Sequence, residues 1–407
     1  MRIEATIRDI CDRINPKDIV NLTYDLVKIQ SPTLHEEELA EKYHDLLNSI
    51  GLNTRFQHVE GERKNVIGLL SGEGGGKCLL LGGHLDTIPI GRCIKPRIDG
   101  MKVYGRGAED MKGSLAAMAI TAKTLIDSDV KLKGNLILAG WVGHEAPEGR
   151  GEGARVLAKQ IRSGRIKVDG AVITEGWIDT IMIAQGGMAI FEVKVEGRKG
   201  SIHTSLLNLD SNPILWASRV VEELYAMDKR LESCPRHPLI ATRPAIQLGI
   251  IQGGDLYNRL PENVKITGTI RWDPDEDMKT IEERMKSRLN KVENEIRDKL
   301  DSSARIELNM RLIRESYEMS GGEDLVECIR RGSKILFGED LKVAGMRMVT
   351  DLSIIGGEGG IPTLAYGPFR WGKITAHSDN EWIDGERLAK ISKILVALAI
   401  LYCGVEA

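Results

Sequence analysis

Three short apolar runs in this chain end alike. Residues 78–81 lead into Gly82-Gly83-His84-Leu85-Asp86-Thr87, residues 136–142 into Gly143-His144-Glu145, and residues 170–174 into Glu175-Gly176. Short apolar runs bounded by glycine read as buried strands. Cores disfavour unpaired charge, so core packing does not explain histidines and acids at several strand ends. In an open α/β sheet, that is where ligands bind, beyond the C-terminal ends of the strands.

The rest of the chain is read around those strands. Residues 17–30 and 34–50 carry helical spacing, and residues 114–125 form an alanine-rich helix. Alternating strands and helices predict an α/β fold with a mostly parallel sheet covered on both faces. At about residue 187 the pattern changes. Phe191-Glu192-Val193-Lys194-Val195 alternates with period two; a helix at 213–231, strands at 245–251 and 264–271, a charged helix at 277–300 and a strand at 305–312 follow. That β-α-β-β-α-β order is ferredoxin-like. Helix–strand alternation resumes after Ser320, so residues 187–314 are expected as an insertion within a larger domain of residues 1–186 and 315–407.

Several function classes are excluded. With 56 basic and 59 acidic residues the net charge is −3, which argues against a nucleic-acid binder. The longest apolar run, residues 394–403, is too short to span a bilayer, and the charged N-terminus is no secretory signal. The six cysteines are scattered without a CxxC pair, as expected of reduced thiols in a cytoplasmic protein without disulfides. Residues 71–77 look like a phosphate loop, but Cys78 replaces Ser/Thr and the loop precedes a strand, so a tight turn is expected. Gly143-His144-Glu145-Ala146-Pro147-Glu148 begins like HExxH, but Pro147 breaks the helix that motif needs. Half of the 44 glycines fall within residues 72–113, 140–153 and 353–372. They mark tightly turning strand-end loops rather than linkers.

Two further segments carry chemistry. In Gly105-Arg106-Gly107-Ala108-Glu109-Asp110-Met111-Lys112-Gly113, glycines bracket two acids before a helix. Capping of that helix by Asp110 would explain the acid but not the glycines. Near the C-terminus stands Ala376-His377-Ser378-Asp379-Asn380-Glu381.

The order of these motifs resembles the M20 family of metallohydrolases, which includes acetylornithine deacetylase, succinyl-diaminopimelate desuccinylase and carboxypeptidase G2-like enzymes. The resemblance runs from about residue 20 to 400. It implies a catalytic domain carrying an inserted lid that forms a homodimer, and two Zn²⁺ per subunit, with Co²⁺ as a possible substitute. His84 and Glu175 would bind one ion, His377 and Glu145 the other, and Asp110 both. Asp86 would hydrogen-bond the far ring nitrogen of His84.

The family normally has adjacent glutamates, general base then ligand, where this chain has His144-Glu145. Three readings stay open: His144 as base with Glu145 as ligand, a reshaped loop in which Glu148 supplies the carboxylate, or Glu145 as base with Glu148 as ligand. In the lid, His203 within Gly200-Ser201-Ile202-His203-Thr204-Ser205 resembles the histidine that reaches the partner's site and stabilises the oxyanion. Asn258 and Arg271 match positions that contact the substrate's carboxylate. His35, His44, His58 and His237 match nothing. The expected activity is hydrolysis of an N-acyl amino acid, with a carboxypeptidase or dipeptidase of the same family, or a non-catalytic binding protein on this fold, as alternatives. Neither nucleic acid nor membrane is expected as a partner.

Overall fold

The computed structural model describes residues 2–128, 130–145, 149–200, 202–233 and 235–406. Ala146, Pro147, Glu148 and Ser201, named above, and Cys234, one of the six cysteines, lie outside the described residues. The chain divides into two units. The first comprises Met1–Ala184, Glu318–Ala344 and Thr350–Ala407, and the second Gln185–Tyr317 and Gly345–Val349.

The first unit is built on a mixed sheet. At its centre four strands run parallel in the order Leu136–Trp141, Leu79–His84, Gly170–Ile173, Thr363–Ala365. Every residue of Leu79–His84 and Leu136–Trp141 is buried, as in strands covered on both faces. The flanks are antiparallel. Asn53–Glu60 and Arg63–Leu70 are joined by the two residues Gly61-Glu62, a link that only antiparallel neighbours can use. On the other side Ala365 pairs antiparallel with Met182. The α/β class therefore holds, with parallel order confined to the centre.

Helices supply the rest of this core. Pro16–Val27 starts with proline in its first turn and with the Asn15 side chain accepting from Lys17 N. Gly113–Asp127 buries Ala116, Ala117, Ala119 and Ala122, whose small side chains let helices approach closely. The apolar run 394–403 is the end of Gly385–Cys403 and is buried almost throughout. Among the described residues no helix is long and apolar enough to cross a membrane.

The second unit is a four-stranded antiparallel sheet in the order Ala245–Gly253, Asn263–Trp272, Gly187–Glu196, Arg305–Arg314. With two helices, Pro213–Glu232 and Met278–Lys299, it has the ferredoxin-like order read from the sequence. Gly187–Glu196 alternates strictly, and Ala189, Phe191, Val193 and Val195 share a core with Trp216, Val220, Leu224, Ile281, Met285 and Leu289. Asp277 caps the second helix by accepting from Thr280 N at 2.8 Å. Residues 345–349 also belong here, although the spacing places them in the larger domain. They are held by Gly345 N donating to Leu239 O at 2.7 Å and by an Arg347–Asp273 ion pair at 2.6 Å.

The 71–77 segment is a turn buttressed by backbone. Gly72 N donates to the Asn135 side chain, Gly74 N to Lys133 O, and Gly134 N to Cys403 O. A Cβ at Gly134 would stand 1.8 Å from Lys77 O, and backbone cannot yield as a side-chain tip can. Gly134→Ala is expected to cost about 1–3 kcal/mol, read as a lower denaturation midpoint.

Candidate metal centre

His84 closes the strand Leu79–His84. Its Nδ1 lies 2.8 Å from the backbone oxygen of Asp86 and its Nε2 3.1 Å from Asp110 Oδ1. The expected contact to the Asp86 side chain is thus replaced by a backbone carbonyl, and the carboxylate stays 3.7 Å from Nδ1. That carboxylate is engaged elsewhere. It accepts from His144 N at 3.0 Å, from Glu145 N at 2.8 Å and from Thr33 Oγ1 at 2.8 Å. Glu36, paired with Arg63, accepts from Gly143 N. Buried carboxylates therefore hold all three amides of residues 143–145.

Asp110 comes from the glycine-bracketed loop. Gly107 has φ 83°, and a Cβ there would meet Thr87 Cγ2 at 2.7 Å, so the turn needs glycine. Asp110 does not cap the following helix, which has no side-chain cap. Its carboxylate instead lies between two histidines, with Oδ2 3.4 Å from His377 Nε2. His377 Nε2 is also 3.0 Å from Glu145 Oε1.

Asp110 and His377 are braced by each other's neighbours. Glu109 accepts from Thr375 Oγ1 at 2.8 Å and from Ala376 N at 2.9 Å, just before His377. Glu381, just after His377, accepts from the amides of Glu109 and Asp110 at 3.1 and 3.2 Å and pairs with Arg106 at 2.6 Å. Both glutamates lie inside motifs read from the sequence, but their bracing role carries no spacing signal.

His144 stacks on His84, with ring centroids 4.3 Å apart and planes 15° apart. Its Nδ1 is 3.0 Å from Asp351 Oδ2, which also accepts from Trp141 Nε1 at 2.6 Å. Asp351 was not foreseen. It is a lone acid before an apolar stretch, and only its place beside Trp141 and His144 marks it.

The electrostatics are those of crowded charge. Burial works against a charged His84, but Asp110, Asp86 and Glu145 outweigh it and raise its pKa. Hydrogen bonds to Asp110 and Glu145 raise His377 to about 10. Burial is the largest influence on Asp110 as well, yet its bonds to His377 and His84 hold it below the usual carboxylate range. Burial and the Asp110 charge push Glu175 up to about 8. A buried acid forced neutral by a neighbouring carboxylate is a group that a cation would relieve. Two sets of donor atoms are close enough to share an ion. One atom each from His84, Asp110 and Glu145 lie within 4.8 Å of one another, as do atoms of His84, His144 and Glu175. Imidazole with carboxylate is a donor set that suits zinc.

In the second unit the structure brings His203 and Asn258 together, Asn258 Nδ2 lying 3.3 Å from His203 Nε2. Arg271 does not join them. It donates to Arg347 O at 2.8 Å and lines a cavity of about 400 Å³ with Ile246, Trp272 and Met285. Asn258 lies in the loop before the strand Asn263–Trp272 and Arg271 near that strand's other end, roughly 25 Å along at about 3.3 Å per residue.

A centre of histidines and carboxylates at the strand ends of an α/β unit, in a chain that also carries a ferredoxin-like unit, defines a metal-dependent hydrolase of amide bonds. Residues 80–401 match peptidase family M20/M25/M40, and the chain belongs to that family. It is 23% identical to a probable succinyl-diaminopimelate desuccinylase of Staphylococcus epidermidis, over 91% of this chain and 94% of that protein. Among solved structures it is similar to a tripeptidase of Staphylococcus aureus, with TM-score 0.77, 18% identity and coverage of 96% and 99%. It is also similar to a dinuclear metal-binding M20 peptidase of Bacillus subtilis, with TM-score 0.65, 16% identity and coverage of 95% and 97%.

The pKa directions give a test of the donors. His84 and His377 are raised and Glu175 stands at about 8, so near pH 7 all three hold protons that a metal must displace. Calorimetry in buffers of different ionisation enthalpy is expected to show net proton release on zinc binding. Affinity should rise as pH rises from about 6 to about 8. Binding with no proton release would remove these groups from the ligand set.

Proposed function

We propose that this chain is a dinuclear zinc amidohydrolase that removes the acyl group from an N-acyl amino acid. The observation that carries the reading is the convergence of His84, Asp110, Glu145 and His377, with Glu175 at the next strand end, on one cluster that is buried except at the exposed His377. In this reading His84 and Glu175 would hold one ion and His377 and Glu145 the other, with Asp110 a ligand available to both. Co²⁺ would fit the same donors. Bound there, the ions would polarise the amide carbonyl and make a water acidic enough to react near neutral pH.

The chain's own residues do the rest. Asp86 fixes the backbone of residues 144 and 145, which sets the direction of both side chains. His144 takes the proton of the attacking water and returns it to the departing amine. The contact of Glu145 with His377 supports the ligand place for Glu145, and His144 is read as the base.

The lid completes the proposal. Ala245–Gly253 is an edge strand whose Leu248, Ile250 and Ile251 are exposed, and Tyr257 beyond it is 94% exposed. Bare apolar surface on an edge strand suits pairing with a second copy. We therefore read the protein as a homodimer in which His203 serves the partner's site as an oxyanion donor. Asn258 and Arg271 are proposed to bind the substrate's free carboxylate from different subunits, because residues roughly 25 Å apart on one chain cannot both reach it. The name of the S. epidermidis relative supports an acylated amino acid as substrate.

Metal content and turnover on N-acetyl and N-succinyl amino acids, dipeptides and tripeptides test the reading. About two zinc ions per chain and preferential cleavage of the acyl amino acids are expected. Faster cleavage of peptides would make it a peptidase, and zinc without any turnover a binding protein. Glu145→Ala and His203→Ala should each lose on the order of 10²-fold or more in kcat. Mixed dimers of the two inactive variants should regain activity, because one hybrid site then has both residues. No recovery would place His203 in its own chain's site.

A further inference from the structure

We infer that Asp351 is a positioning residue for His144, a role that rests on the proposed function above. The geometry is a relay of three side chains. Trp141 Nε1 donates to Asp351 Oδ2 at 2.6 Å, and His144 Nδ1 lies 3.0 Å from the same oxygen. An indole N–H only donates, so it anchors that oxygen as an acceptor. A carboxylate acceptor beside Nδ1 selects the tautomer with the proton on Nδ1. Nε2 is then the nitrogen that carries the lone pair. The ring's outlook is set as well. It lies nearly parallel on His84, and one donor atom each of His144, His84 and Glu175 fall within 4.8 Å of one another. Three constraints act on one imidazole: the backbone amide held by Asp86, the ring face held by His84 and Nδ1 held by Asp351.

Trp141 ends a central strand, and Asp351 precedes the helical segment Ser353–Glu358, so the relay ties two rigid parts of the first unit to the catalytic loop. Both side chains are at most 1% exposed. A buried carboxylate is costly unless it is put to use. Where the family has a glutamate, this chain has a histidine, and a histidine needs its tautomer fixed as a glutamate does not.

The test uses the full-length zinc-loaded protein and three variants. Asp351→Asn can keep a carbonyl oxygen at the point shared by Trp141 and His144, so it should retain much of the wild-type kcat. Asp351→Leu removes the acceptor and should lower kcat by on the order of 10²-fold with KM and zinc content near wild type. Trp141→Phe/Asp351→Leu removes donor and acceptor together, which avoids an orphaned indole N–H and guards against a folding failure. It should show the same kcat loss. With histidine labelled in ¹⁵N, the His144 ring is expected as the Nδ1–H tautomer in wild type and Asp351→Asn, and as a mixture in both Leu variants.

Wild-type kcat in a folded Leu variant, or an unchanged tautomer, would overturn the role of Asp351. Loss of zinc along with activity would also overturn it, because His144 would then be a ligand. A wild-type protein that binds no metal and cleaves no substrate would instead overturn the proposed function, which the tautomer measurement reads independently.

Discussion

Asp110 and His377 lie 267 residues apart in the chain, in segments that flank the paired strands Lys102–Tyr104 and Trp382–Asp384. What joins them is an exchange of hydrogen bonds between their neighbours. The carboxylate of Glu109 gathers the backbone just before His377, and that of Glu381 gathers the amides of Glu109 and Asp110. Arg106 and Arg387 balance the charge of the two glutamates. The geometry of the centre is thus set by rigid backbone and not by the like-charged carboxylates, which repel one another. Burial raises the pKa of both bracing glutamates, Glu381 to about 7. The brace therefore depends on the arginines and amides that favour the ionised form.

The same device recurs beside it. Asp86 and Glu36 accept the backbone amides of residues 143–145, so those three residues have a defined path. Carboxylates that bond amides in this way cost little strain and leave imidazoles and acids free to face inward. The centre is a shell of acids that hold backbone around a smaller set that can hold cations.

Part of this was legible in the sequence, because His84, Glu145 and Glu175 follow apolar runs that end at or near glycine. Asp110 stands instead in a glycine-bracketed segment, and His377 has neither mark and was singled out by its place in the order of motifs. The parallel centre and the ferredoxin-like unit were legible through strand length and the change of period near residue 187. The antiparallel flank was not, because Asn53–Glu60 is polar and mostly exposed and shows no alternation. Asp86 was assigned the right neighbour but the wrong atom, since a two-residue spacing does not say whether the side chain or the carbonyl turns back. Asp351 carried no local signal, and its partner Trp141 is 210 residues distant. Arg271 was matched by its place at a strand end, and the sequence did not show that Asn258 belongs to the other end.

The insertion has a consequence for how the protein is made. All four strands and both helices of the second unit lie between residues 187 and 314, so its core can close while the ribosome is still working. The first unit cannot follow that order. Its central sheet waits for Thr363–Ala365 and its core for Gly385–Cys403, both synthesised after the second unit. His377 and Glu381 arrive equally late. At about 5–20 residues per second, the N-terminal segment spends on the order of ten seconds or more without its closing elements. During that interval its strands are exposed, and His84 and Asp110 lack the second histidine. A chain cut short before Gly385–Cys403 would leave open to proteases the apolar face that this helix covers.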